Sequence, residues 1–366
     1  MKVLVMGGTR FNGLALVREL DRHGHDVTVL NRGRSAVQLP RRVRRLYADR
    51  TNYEQLRQVL GHQEFDVVQD ISGYTVDDVR AMVDIFRHRI GHYIFASSTV
   101  IYGPAKILPI REDHPVDYSD RQTSYGHHKL RAEALLVEEY RRNRFPATTV
   151  PFSMVLGPNN IVADREQRVF KAMLLGRPIL VPGDGTTLSQ TGYVDDGACA
   201  LRMLMLQPQT FGKRYNLTGR DHWSDEGYVD TFADVIGIKP RKVRVPPRLM
   251  DDIYSGAYDT GTARAYLAGM ASSGDSAAPT MEPPGSRFLT VTGLIQRLGP
   301  NLHHWNESTY FSIDRLWEDI GFRPAHTFAA AVAKTYEWFR REKLDETLRF
   351  NFDWEDGVLA HLGASR

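Results

Sequence analysis

The chain has 366 residues, of which 42% are hydrophobic and 25% are charged, and its net charge is +3. This composition is ordinary for a globular protein with room for two domains, and the mild basicity is weak evidence for nucleic-acid binding. One cysteine, Cys199, excludes a disulfide within the chain, and no apolar run is long enough to span a membrane. Because no signal peptide is recognisable either, we expect a cytoplasmic protein.

Strand and helix patterns alternate through the first half of the chain. Strands are predicted at 3–5, 26–30, 44–48, 65–70, 93–97 and 147–152. Helices are predicted from Phe11 onward and at 53–60, 76–88 and 124–142. Strands that alternate with helices of this length imply right-handed crossovers and therefore an α/β fold with a Rossmann-type, doubly wound parallel sheet.

The second half is less regular, with helices predicted at 170–175, 228–236 and 327–341. Residues 270–287 are small, polar and proline-rich, which indicates a surface loop or local disorder. We therefore divide the chain into a nucleotide-binding domain at 1–165 and a smaller α/β substrate domain at 166–366. Segments near 190–220 and 305–320 are expected to return to the first domain.

A glycine turn follows the first predicted strand, in the sequence KVLVMGGTRFNG at 2–13. A strand, a glycine turn and a helix start place free backbone N–H groups against a pyrophosphate. The expected cofactor contacts are Gly7, Thr9, Arg10, Phe11, Asn12 and Gly13. Arg10 replaces the usual middle glycine, so its side chain must point away from the pyrophosphate or reach over it.

The end of the second strand decides between NAD and NADP. NAD enzymes usually place an acid there to bind the adenosine ribose, whereas this chain has Asn31, followed by Arg32 and Arg34. Two guanidinium groups can bind a 2′-phosphate, so NADP is favoured and NAD remains possible. The alternative is that the arginines are merely solvated. Further cofactor contacts are expected from Asp49, near adenine, and from Ser72 and Gly73, near the phosphates or the nicotinamide ribose.

Candidate catalytic residues lie on the fifth strand and on the long helix after it. Tyr125 and Lys129 are four residues apart and share one helix face. A neighbouring ammonium, helped by an oxidised nicotinamide, would favour the tyrosine phenolate and make proton transfer feasible. Lys129 can also bind the nicotinamide ribose. Ser98, at the carboxyl end of a strand, can polarise a carbonyl or alcohol beside Tyr125.

The segments GGTRFNG, SSTVIYG and YGHHK, in this order and spacing, resemble the extended short-chain dehydrogenase/reductase superfamily. They are most similar to its NAD(P)-dependent epimerase/dehydratase family, and within it to atypical members with a GGTRF turn. The resemblance implies a Rossmann domain with a small C-terminal substrate domain. It also implies that Ser98, Tyr125 and Lys129 are catalytic, and that the protein forms a homodimer through two helices per subunit.

Departures from the family pattern narrow the reaction. Sugar-nucleotide dehydratases of the family carry an acid pair where this chain has Thr99 and Val100, so elimination is disfavoured. Met154 and Ser189 replace the usual ligands of the substrate diphosphate. The substrate is therefore either held by other residues or is not a standard nucleotide sugar. The candidate substrate residues are Thr99, Met154, Asn159 and Asn160, with Arg165 as a further one.

Three functions follow. The first is an NAD(P)-dependent epimerase of a nucleotide-linked or related sugar, which works through a transient ketone with the Ser98, Tyr125 and Lys129 triad. The second is an NADP-dependent reductase or dehydrogenase of a sugar-like substrate. The third is an RNA-binding protein with this fold, suggested by basic runs such as 41–45, although nucleic acid is disfavoured. No metal site is expected, because adjacent histidines such as His127 and His128 point in different directions.

Overall fold

Six parallel strands form the central sheet in a computed structural model that describes residues 1–120, 122–162, 165–255, 257–258 and 304–364. The strands are β1 (Lys2–Met6), β2 (Asp26–Asn31), β3 (Arg44–Tyr47), β4 (Val67–Asp70), β5 (His92–Ser98) and β6 (Ala147–Phe152). Their order is β3-β2-β1-β4-β5-β6, so the strand order reverses between β1 and β4. Ligands of open parallel sheets bind outside the carboxyl ends of the strands at such a reversal.

Helices connect these strands as the alternation predicts. They are α1 (Phe11–Arg22), α2 (Tyr53–Leu60), α3 (Val76–Phe86) and α4 (Ser124–Asn143). The prediction for α3 extended two residues too far, because His88 has a φ of 61° and lies outside the helix. A 3-10 turn at Thr99–Ile101 follows β5 directly.

The second half adds short strands and more helices. The strands are β7 (Val155–Leu156), β8 (Ile179–Pro182), β9 (Leu188–Gln190), β10 (Gly192–Tyr193), β11 (His222–Ser224) and β12 (Lys242–Val245). The helices are α5 (Glu166–Leu174), α6 (Val194–Met203), α7 (Asp225–Ile236), α8 (Pro247–Ser255), α9 (Asp314–Ile320), α10 (Phe328–Arg341), α11 (Leu344–Thr347) and α12 (Asp353–His361). The loop predicted at 270–287 lies outside the described residues.

Hydrophobic clusters cover both faces of the sheet. One packs α2, α3 and α4 on one face, and the other packs α1, α6 and α9 on the opposite face. Later segments also reach the sheet, since isolated parallel bridges join Thr149 to Arg214 and Phe152 to Leu217 along β6. A third cluster holds α5, α7 and α10 together, and Phe11 packs against it. No helix in the described ranges is long and apolar enough to cross a membrane.

A buried histidine at the start of β5 makes the stability of this fold sensitive to acid. The Leu206 backbone N–H donates to His92 Nδ1 over 3.1 Å, so Nε2 carries the proton and donates to Thr148 Oγ1 over 2.8 Å. Burial lowers the pKa of His92 to about 3, so the folded protein keeps it neutral.

We expect acid to destabilise the wild-type protein through His92. The unfolded state takes up a proton below a pKa of about 6.5, so stability should fall as the pH drops from there towards 3, by about 2 kcal/mol by pH 5. Urea unfolding at pH 7 and pH 5 measures the loss, which should be smaller in His92→Gln. The exposed control, His62→Gln, should behave like the wild type; an equal pH effect in both variants would contradict the assignment.

Candidate active site

The glycine turn lies at the carboxyl end of β1 and leads into α1. Gly7 has a φ of 88°, and a Cβ there would lie 2.7 Å from the Ser72 Cβ, so the turn and the segment after β4 approach closely. α1 has no acidic residue in its first turn and no side-chain cap at Arg10. Its free N–H groups and positive end are therefore not neutralised by the protein, as a pyrophosphate site requires.

The adenosine end of the expected cofactor site lies after β2 and β3. Asn31 Oδ1 accepts from the Gly33 backbone N–H over 2.7 Å, and the buried Asn31 Nδ2 has no hydrogen-bond partner among the described residues. Arg32 and Arg34 are exposed and form none of the ion pairs found among the described residues. Hydrogen bonds from the Thr51 backbone and hydroxyl lower the pKa of Asp49, and the charges of both arginines add to this effect.

These residues fit a dinucleotide. The Asn31 donor has no acceptor in the part of the chain that the structure describes, and the two exposed arginines lie beside it in the sequence. Thr9 is buried in the glycine turn, and the half-buried Asn12 leaves its Oδ1 unpaired at the start of α1. A ligand that places phosphate on α1 and a ribose near Asn31 would satisfy groups that the chain alone leaves open.

Ser98 and Tyr125 meet at the carboxyl end of β5. Ser98 ends the strand and caps the 3-10 turn, where its Oγ accepts from the Val100 N–H over 3.4 Å. Tyr125 lies in the first turn of α4, whose start is capped by Thr123. Burial raises the pKa of the Tyr125 phenol, Tyr74 adds to the rise, and hydrogen bonding with Ser98 opposes it.

Lys129 lies one turn further along α4 and is 3% exposed. Its Nζ donates to the Gly73 carbonyl over 2.6 Å and to the Ala96 carbonyl over 2.7 Å. It lies 5.6 Å from the centroid of the Tyr125 ring. The ammonium is bonded to carbonyl oxygens, and burial of the phenol dominates its pKa, so the protein without a bound cofactor keeps Tyr125 protonated at neutral pH.

Two candidate substrate residues are occupied elsewhere. Met154 is 6% exposed and packs in the cluster around α5 and α7. Asn160 Nδ2 donates to both carboxylate oxygens of Glu166, over 2.9 and 3.1 Å, and Asn160 Oδ1 accepts from the Val162 N–H. In this chain Met154 therefore contributes to packing and Asn160 to loop structure, and the proposed substrate role of both stays a prediction. Asn159 is half-buried, and Thr99 is buried beside Ser98.

Two further residues lie near Tyr125: Tyr74, which the sequence did not single out, and Arg165, which it gave as a candidate substrate residue. Tyr74, two residues after Ser72, places its ring centroid 6.0 Å from that of Tyr125. Arg165, at the start of α5, is close enough that its charge opposes the rise in the pKa of Tyr125. Tyr74 lies in the segment between β4 and α3, at the reversal of the sheet, and that position was the available signal. Over the described ranges, no group of three or more His, Cys, Asp or Glu residues is placed to hold a metal.

Comparisons with known proteins show which family the chain belongs to. A family model for the NAD-dependent epimerase/dehydratase family matches residues 3–218. The chloroplast stem-loop binding protein of 41 kDa b from Arabidopsis thaliana is 31% identical over 264 residues, or 68% of this chain and 67% of that protein. A UDP-glucose 4-epimerase from Corynebacterium glutamicum is 26% identical over 290 residues, or 69% of this chain and 85% of the relative.

A solved structure shares the fold over most of its length. The UDP-glucose 4-epimerase from Thermotoga maritima, solved with UDP-glucose, has a TM-score of 0.68 at 17% identity, and the match covers 94% of this chain and 100% of that one. The chain therefore belongs to the NAD-dependent epimerase/dehydratase family, within the extended short-chain dehydrogenase/reductase superfamily, and is an NAD(P)-dependent epimerase or oxidoreductase of that type.

Proposed function

We propose that this protein is a nicotinamide-dependent epimerase of a nucleotide-linked or related sugar, with Ser98, Tyr125 and Lys129 as its catalytic residues. The observation that carries the proposal is the buried hydroxyl of Tyr125 bonded to the Ser98 hydroxyl, with Lys129 buried one helical turn away. The absence of an acid pair at Thr99 and Val100 favours hydride chemistry over elimination.

In the proposed reaction, Ser98 donates a hydrogen bond to the reacting oxygen of the sugar. Tyr125, after releasing its own phenol proton to solvent, would accept the hydroxyl proton as the carbon loses a hydride, and would return that proton when the ketone is reduced on its other face. When bound, an oxidised nicotinamide supplies the hydride acceptor and a positive charge beside the phenol. Lys129 fixes the Gly73 segment and presents its ammonium to the nicotinamide ribose.

The cofactor that best fits the adenosine end is NADP. Replacing Arg32 or Arg34 with alanine should raise the Kd for NADP by about tenfold, because each removes a charged partner of the 2′-phosphate. The Kd for NAD should change by less than about twofold. Calorimetric titration with both dinucleotides measures the difference, and Arg41→Ala is the exposed control. Equal losses for NAD and NADP would contradict NADP selection.

Cofactor retention separates epimerase from reductase. An epimerase regenerates its cofactor in each cycle, so the purified protein should carry stoichiometric nucleotide, identifiable by mass spectrometry. It should also convert a sugar without added nicotinamide. A net change in absorbance at 340 nm (the reduced-nicotinamide band) that accumulates with substrate would instead indicate a reductase or dehydrogenase.

RNA binding is the second candidate function, because the Arabidopsis relative is named a stem-loop binding protein. Arg44 begins β3, the edge strand of the sheet, and Arg41 and Arg42 lie just before it; all three are exposed. Salt-dependent binding of a stem-loop RNA that survives Tyr125→Phe, and that falls in Arg41→Gln, would favour this function if no sugar is converted. Turnover that depends on Tyr125 would favour the epimerase.

A further inference from the structure

A network of four charged side chains lies beneath the segment that joins β4 to α3. Its members are Arg50, Asp70, Asp78 and Lys129, two positive and two negative. The side chains of Arg50, Asp70 and Asp78 are 13%, 0% and 5% exposed. Burying an unpaired charge costs free energy, so these four side chains are stabilised by lying close to one another.

Asp70 is the centre of this network. Its two carboxylate oxygens accept from the Arg50 guanidinium over 2.7 and 3.0 Å, which is a bidentate geometry. The Tyr93 hydroxyl donates to the same carboxylate over 2.6 Å. Although burial acts to raise the pKa of Asp70, these partners hold it below the usual value, so the carboxylate is charged at neutral pH.

The network also fixes the segment after β4. Arg50 donates to the Ser72 hydroxyl over 2.9 Å, and its Nε lies 3.4 Å from an oxygen of Asp78. Asp78 accepts in turn from the Tyr74 and Thr75 backbone N–H groups, each over 3.0 Å. Gly73, between these anchored positions, presents the carbonyl that receives the Lys129 ammonium.

Lys129 has no directly bonded counter-charge among the described residues. None of the ion pairs in the described part of the chain includes Lys129, and its two hydrogen-bond acceptors are neutral carbonyls. Asp70 pairs with Phe95 in the β4–β5 register, and Lys129 Nζ lies 4.6 Å from the centroid of the Phe95 ring. A Cβ on Gly73 would lie 3.1 Å from an Asp70 oxygen. The carboxylate and the ammonium therefore flank the same glycine.

We propose that Asp70 and Arg50 are positioning residues that set the charge and place of Lys129. Asp70 is the counter-charge that keeps the buried ammonium protonated, and Arg50 limits that effect by sharing the carboxylate. The same guanidinium also bonds to Ser72. It therefore links the charge of Lys129 to the segment at Ser72 and Gly73, which is expected to contact the cofactor. The inference rests on the proposed function only where it gives Lys129 a part in turnover.

Neutralising Asp70 and neutralising Arg50 should shift the pKa of Lys129 in opposite directions. Burial lowers the pKa of Lys129 to about 8, Asp70 raises it, Arg50 lowers it, and Glu133 and Asp78 raise it to a lesser extent. Asp70→Asn should therefore move the titration of Lys129 about one pH unit lower, whereas Arg50→Gln should move it higher by a similar amount. A purely structural role would not give two opposite shifts.

The test follows lysine protonation directly by carbon NMR of the side-chain ε position across pH 6 to 10. The chain has nine lysines, and Lys129→Arg assigns the resonance. This readout needs neither cofactor nor substrate, so it can succeed even if the proposed reaction is wrong. The pH dependence of NADP affinity should then shift in the same directions as the NMR titration.

Glu19→Gln is the matched control, because Glu19 is a buried carboxylate paired with Arg202 over 2.8 Å on the other face of the sheet. It should leave the titration of Lys129 unchanged. If Asp70→Asn does not fold, Arg50→Gln alone tests the proposal, and the pKa of Lys129 must then be higher in that variant than in the wild type. Shifts of equal sign, a fall in Arg50→Gln, or no shift in either variant would overturn the proposal.

Discussion

Tyr125→Phe is expected to lower kcat by at least about a hundredfold, because it removes the one group proposed to transfer the hydroxyl proton. The phenylalanine keeps the ring that faces Tyr74 at 6.0 Å and the Lys129 ammonium at 5.6 Å, so the fold should be retained. Cofactor affinity should stay within about twofold of the wild type. The measurement is turnover of the sugar that the wild-type protein converts, together with calorimetric binding of the cofactor.

Two variants make this result specific. Tyr118→Phe removes the hydroxyl of a tyrosine that is 61% exposed, and it should leave kcat unchanged. Ser98→Ala should lower kcat while Tyr125 is intact, because the reacting oxygen loses its hydrogen-bond donor. Full activity in Tyr125→Phe would remove the proposed mechanism. Loss of cofactor binding together with activity would instead assign Tyr125 to the binding site.

The central sheet could be predicted because its strands are buried on both faces. Continuous apolar runs such as 3–5 and 93–97 have no competing amphipathic helix pattern, and each predicted strand overlaps one of β1 to β6. The start of α5 could not be predicted from periodicity. Its first turn is polar, and Arg168 is buried there only because Glu355, 187 residues away, pairs with it over 2.6 Å.

The same limit applies to the site. Strand ends and the four-residue spacing were enough to propose Ser98, Tyr125 and Lys129 as neighbours, and the structure places them at one edge of the sheet. The pairing of Arg50 with Asp70 joins positions 20 residues apart and leaves no motif in the sequence. The hydrogen bond from Asn160 to Glu166 could not be predicted for a related reason, because it depends on how the loop before α5 folds back.

Gly13→Ala is expected to cost about 3 kcal/mol of stability and to abolish detectable cofactor binding. An added Cβ would lie 2.4 Å from the Gly7 carbonyl oxygen and 3.0 Å from the Gly8 Cα, both of them backbone atoms that cannot rotate away. The start of α1 would have to move away from the glycine turn, and its backbone N–H groups would no longer point towards a bound pyrophosphate. Urea unfolding and calorimetric titration with NADP measure the two losses.

Gly197→Ala provides the matched comparison, because Gly197 is also a buried helical glycine, on the helix α6 that packs against α1. Its added Cβ would meet the Phe152 ring at 3.4 Å, an ordinary contact, so the substitution should stabilise the protein by about 0.5 kcal/mol and leave binding intact. Equal behaviour of the two variants would mean that the close approach at Gly13 is not what shapes the site. If only Gly13→Ala loses stability and cofactor binding, glycine is required at this position because only a residue without a Cβ allows α1 to start against the glycine turn.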